Sequence, residues 1–157
     1  MTLLYGIPSI QWARPAAALP GGGAWDGAPA VLPCAGAKWA VLYTSYLPGG
    51  AGGAVDIRIE VSPYAEVTAG VQNWFMLSVK DLGAVVAGAD VASAIQRESH
   101  TTYTATAVAT EDFAHGPIAL ADCAQRLRVT CRESGNQGAP GTCHVVVMFG
   151  GDYQATI

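Results

Sequence analysis

Between Ala54 and Ser62 the chain alternates strictly. Val55, Ile57, Ile59 and Val61 are apolar, and Asp56, Arg58, Glu60 and Ser62 are polar. A period of two belongs to a strand with one dry and one wet face, and Val and Ile suit a pleated surface. Pro63 ends the strand, because proline cannot donate to a ladder. Trp39 to Tyr46 is rich in β-branched and aromatic residues, and the loop Pro48 to Gly53 behind it predicts a hairpin with the 54–62 strand. Gln72 to Val79 and Thr101 to Val108 read as further strands, with a short one at Ile118 to Leu120 after Gly116-Pro117. Gln125 to Arg132 alternates again, with Leu127, Val129 and Cys131 inward. Thr142 to Phe149 is a long apolar run, expected to be a central strand covered on both faces, with Cys143 on the side of Val145, Val147 and Phe149. Residues 80–100 hold either a short helical turn capped by Asp90 or an ordered loop. About seven or eight strands separated by turn signals, without βα alternation, predict an all-β, antiparallel β-sandwich of jelly-roll-like type.

Residues 1–37 break this rhythm. They hold five of the nine prolines and the run Gly21-Gly22-Gly23, and no strand or helix period survives in them. Tyr5, Trp12 and Trp25 are spaced along the segment, and a disordered tail would usually lack tryptophan. The expected organisation is an extended N-terminal arm, 1–37, and a sandwich domain, 38–157. The arm either docks on a neighbouring subunit through Tyr5, Trp12 and Trp25 or lies across its own domain.

Charge narrows the partners. Only 13% of residues are charged, against about 25% in ordinary soluble domains. Such a surface suits burial against other subunits or a large partner; an Ala- and Gly-rich monomer from a GC-rich genome is the plainer reading. The net charge is −4, and the basic stripe that phosphate contacts need is missing, so nucleic acid is not an expected partner. Arg126, Arg128 and Arg132 fall on one strand face, either to meet an anionic partner or as an ordinary solvated face. No segment reaches the roughly 18–20 apolar residues of a membrane helix, so no membrane is expected. Met1 to Pro8 has no basic start and no long apolar core, so synthesis in a cytoplasm without a signal peptide is the expectation.

Catalytic signatures are absent. Of the histidines His100, His115 and His144, none has the spacing of a zinc pair, and an enzyme or metal site would need all three to converge in the fold. GxSxG, SxxK and phosphate-loop patterns are missing, and no cofactor is expected. Asp56 and Glu60 share a strand face but lie about 13 Å apart along it, too far for a glycosidase pair, and read as a solvated face with Arg58 between them. Cys34, Cys123, Cys131 and Cys143 lack a CxxC pair and are taken as free buried thiols, with a bridge such as Cys123 to Cys143 as the alternative. Trp74, Tyr64 and Tyr103 could form a sugar-stacking platform, although Trp39 and Trp74 fit the sandwich core better.

The run from Trp39 to Tyr46, the Gly-rich loop, Asp56 to Pro63 and the later Asn73-Trp74-Phe75 resembles small structural proteins of tailed bacteriophages. In those, a strand ending in a Val-Glu-Val-Ser element leads through a loop to an Asn-Trp-aromatic element. The strands around Arg126 to Val129 and Val145 to Val147 fit the same layout, and the resemblance spans roughly residues 38–149. The loop at 63–72 is longer than the short Asp-Gly turn usual there. The resemblance implies a virion component, assembled in the host cytoplasm: a capsid decoration (cement) protein or a head or tail accessory protein. Its implied partners are the major capsid protein and further copies of itself, as a trimer. A carbohydrate- or receptor-binding tail or head-fibre module is the alternative.

Overall fold

The computed structural model describes residues 9–77, 100–120 and 124–151. The expectations for residues 80–99, for Tyr5 and for Cys123 lie outside them. Among the described residues nine strands follow in order: β1 (Ser9–Ala18), β2 (Val31–Pro33), β3 (Trp39–Leu47), β4 (Ala54–Ser62), β5 (Phe75–Met76), β6 (Thr101–Thr104), β7 (Glu111–Ala119), β8 (Arg126–Glu133) and β9 (Thr142–Gly150). They make two antiparallel sheets, so the chain is an all-β sandwich. Sheet A runs β1-β9-β3-β7, and sheet B runs β2-β8-β4, with β5 and β6 sharing the free edge of β4.

The period of two explains the layering. Leu42, Tyr46, Cys143, Val145, Val147 and Phe149 point inward from sheet A, and Val55, Ile57, Ile59, Leu127, Val129 and Cys131 from sheet B; all are buried in one core. Each Val, Leu, Ile or Phe among them contributes about 1.5–3 kcal/mol by leaving water.

The expected β3–β4 hairpin does not form. β3 pairs with β7 and β9 in sheet A, and β4 pairs with β5, β6 and β8 in sheet B. Both strands carry an apolar inward set, and the two sets bury each other only when the strands lie in facing layers. Residues 48–53 therefore turn a corner between the sheets. The corner is tight: a Cβ on Gly135 would strike the backbone of Gly52 to Ala54.

Residues 9–37 lie across their own domain. β1 pairs with β9, β2 pairs with β8, and Ala13, Leu19, Leu32, Cys34 and Ala37 enter the core. Pro15 is tolerated in β1 because β1 is an edge strand and Pro15 falls in the register shift between Arg14 and Ala17. β7 is longer than the expected 118–120 strand, and β5 and β6 are shorter than expected.

Candidate functional site

The outer face of sheet B is occupied from within the chain. Asp56 lies opposite Arg132, Arg58 opposite Thr130, Glu60 opposite Arg128 and Ser62 opposite Arg126. Arg132 Nε donates to Asp56 at 2.9 Å, and Arg128 Nε donates to Glu60 at 2.7 Å. Asp56 also accepts from Thr102 at 2.7 Å and Ser134 at 2.9 Å, with His100 Nε2 at 3.5 Å. Arg126 donates to the carbonyl oxygens of Tyr64 and Glu66 and to Ser62 Oγ. Two tryptophans cover the guanidinium groups: Trp25 lies between Arg58 and Arg132 at 4.4 and 4.3 Å, and Trp74 between Arg126 and Arg128 at 5.1 and 4.3 Å.

This overturns two expectations. Asp56 and Glu60 are buried, not solvated, because cross-strand arginines reach them and indole rings roof the arginines. Burial pushes the Asp56 carboxyl up, but its hydrogen bonds to Thr102, Arg132 and Ser134 outweigh that and hold it below its usual value. The arginine row likewise presents no open basic stripe.

Two buried polar clusters lock the sandwich. Arg14, on β1, forks onto Asp26 through Nε at 3.0 Å and Nη2 at 3.2 Å, and donates to the carbonyl oxygens of Ala17 and Ala18 at 2.8 Å and of Cys143. At one end of the sandwich, the fully buried Glu133 accepts from Tyr46 Oη at 2.7 Å and from the N–H groups of Ala54, Asn136 and Gly141 at 2.9–3.0 Å.

The outer face of sheet A is different. The register aligns Ile10, Met148 and Val41 in one row and Trp12, Val146, Tyr43 and Ala114 in the next. A third row holds His144, Ser45 and Asp112. Ile10 is 67% exposed, Trp12 62%, Tyr43 46% and Leu47 42%; Val41, Val146 and Met148 are half-buried. Asp112 is the single carboxylate of these rows, and it accepts a hydrogen bond from Ser45 Oγ. Trp12 lies flat on His144, ring centroids 4.6 Å apart and planes 16° from parallel, and His144 Nε2 beneath it is buried without a hydrogen-bond partner among the described residues. Beside it a shallow depression of about 370 Å³ is lined by Tyr43, Ser45, Asp112, Ala114, His144 and Val146. The expectation that β9 would be covered on both faces therefore holds for its inner face alone. Its outward Val146 and Met148 are apolar, yet the described chain leaves them half open.

The residues singled out from sequence are scattered. Trp12 stands open on sheet A, while Trp25 is clamped on sheet B. Trp74 lies on the outer face of sheet B, whereas Tyr103 lies on its inner side, stacked on Phe113 with centroids 3.6 Å apart and its hydroxyl 3.0 Å from His115 Nδ1. The proposed Trp74–Tyr64–Tyr103 platform is thus not assembled. Burial holds the His115 imidazole below its ordinary pKa. His100, His115 and His144 sit on the outer face of sheet B, between the sheets and on the outer face of sheet A, so they do not converge. Among the described residues no group of His, Cys, Asp and Glu is placed to hold a metal ion. Sequence reading passed over Tyr43 and Val146; their signal lay in the apolar outward positions of strands already apolar inward. Compared with known proteins, the chain matches no family model, no curated protein and no solved structure.

Proposed function

We propose that this chain is a structural protein that works by contact, through the outer face of sheet A. The observation that carries the reading is the apolar row Trp12–Val146–Tyr43, which the described residues leave partly open on a sheet whose other side packs into the core. A face of this kind is rare on an isolated domain and is stabilised when covered, at about 25 cal/mol per Å² of apolar area. The specific form we propose is the one implied by the phage resemblance: a capsid-decorating protein whose copies contact each other and the major capsid protein. The low charge of the chain agrees with such packing.

Sedimentation of the purified protein tests the reading. Wild type is expected to associate as concentration rises, and Val146→Lys to remain monomeric with an unchanged circular dichroism spectrum. Particles assembled without the protein, or with Val146→Lys, are expected to lose resistance to heat or osmotic shock. A monomer at every concentration that also leaves particle robustness unaltered would refute it.

A second reading, glycan binding, draws on one observation. Trp12 presents an exposed indole stacked on His144, and His144 with Ser45 and Asp112 lines the adjoining depression. An aromatic platform beside hydrogen-bonding groups is how sugars are commonly held. Calorimetric binding of a neutral oligosaccharide, abolished in Trp12→Ala, would favour it; heat of dilution alone would remove it.

A further inference from the structure

Cys131 and Cys143 face one another across the core. Cys131 projects inward from β8 of sheet B and Cys143 inward from β9 of sheet A; both are completely buried and both are free thiols. The two thiols lie within interaction range of each other. The polypeptide around them is held in place independently. Asp26 Oδ2 accepts from the Cys131 N–H at 3.0 Å and from Arg14 Nε at 3.0 Å, while Arg14 Nη1 donates to the Cys143 carbonyl oxygen. One ion pair therefore ties the two sheets together at the level of the two thiols.

We propose that Cys131 and Cys143 form a latent inter-sheet cross-link, closed to a disulfide when the chain folds in the presence of a small-molecule disulfide oxidant. The chemistry is two exchange steps. One cysteine thiolate attacks the oxidant disulfide, forming a mixed disulfide and releasing one small thiol. The second cysteine thiolate attacks the protein sulfur of that intermediate, forming the Cys131–Cys143 bond and releasing the other small thiol. The two protein thiols lose two electrons and two protons, and the oxidant is reduced to two thiols.

Timing follows from burial. Interaction with Cys143 and then desolvation push the Cys131 thiol well above its usual pKa, and the thiolate is the reactive form. Once the sheets have closed, the pair resists oxidant; before closure it does not. The proposal is independent of what sheet A binds.

The test is refolding of the fully reduced, unfolded chain with excess glutathione disulfide, followed by alkylation and trypsin. Cleavage after Arg128 and Arg132 places Cys131 in peptide 129–132 and Cys143 in peptide 133–157. The expected product is these two peptides joined, at a mass two hydrogens below their sum, in wild type and in Cys34→Ala/Cys123→Ala alike. The linked protein is expected to melt about 5–10 °C above the reduced one, a difference absent in Cys143→Ala. Recovery of both peptides alkylated, or of either one joined to Cys34 or Cys123, would overturn the proposal. So would a linked form that melts no higher than the reduced protein, because the bond would then oppose the native packing.

Discussion

Glu133→Ala is expected to lower the stability of the fold by about 4 kcal/mol, read as a urea midpoint lower by about 2 M. The carboxylate is completely enclosed, and its partners are neutral donors: one phenol and three backbone N–H groups. Removing it strands the three N–H groups, each at a cost of about 1–3 kcal/mol, and they belong to the β3–β4 corner and the β8–β9 loop. Burial keeps the Tyr46 phenol protonated, and its hydrogen bond to Glu133 adds to this, so the hydroxyl stays a donor. The pH dependence has a definite sign. Desolvation pushes the Glu133 carboxyl up, but the hydrogen bonds from Gly141, Ala54, Tyr46 and Asn136 outweigh it, and the folded pKa lies below 4.5. The stability contributed by ionised Glu133 is thus fully present above about pH 4.5 and is lost as pH falls through the folded value. Asp56 acts in the same direction. Glu133→Gln, which keeps the shape and removes the charge, should therefore differ from wild type at pH 7 and converge with it in acid. A gap that stays constant from pH 7 to pH 3 would contradict the assignment.

Arg14→Met is expected to cost about 3 kcal/mol, and more than Asp26→Asn. Methionine keeps most of the buried stem but leaves the Asp26 carboxylate without its fork and three carbonyl oxygens without their donor. The loss should fall first on β1, whose backbone pairs among the described strands with β9 alone and shifts register on both sides of Arg14. Amide exchange in residues 9–18 should accelerate before that of β3 or β8. A double-mutant cycle with Asp26→Leu is expected to show coupling of about 1–3 kcal/mol, because removing both charges leaves neither stranded. Strictly additive losses would mean that the fork does not hold the arm.

Particular residues show why parts of the fold were legible and parts were not. β4 and β8 alternate so regularly that the inward positions of Ile57, Ile59, Leu127, Val129 and Cys131 could be read directly, and all are buried. β1 could not, because Arg14, Pro15 and four alanines between residues 13 and 18 obscure any period of two. What makes that segment a strand is an unpaired edge of β9 beside it, a partner supplied from more than 120 residues away. Gly116-Pro117 signals a break, so the sequence predicts a short strand at 118–120 where β7 runs from Glu111 to Ala119. Neither tryptophan clamp on sheet B was legible. Trp25 and Trp74 reach the same row of arginines from opposite ends of β4, and local spacing carries no trace of that meeting.

Strand character, the inward set of side chains and the all-β class followed from the order of residues, since the pleat repeats every two positions and apolar groups must leave water. Sheet membership did not, and neither did the burial of Asp56 and Glu60 or the thiol pair across the core. Those depend on which distant strands meet, and a strand's own pattern says which face is dry without saying what lies against it. The open face of sheet A stands between the two cases: its apolar positions are written along β3 and β9, but their exposure became visible only once the sheets had chosen which sides to bury.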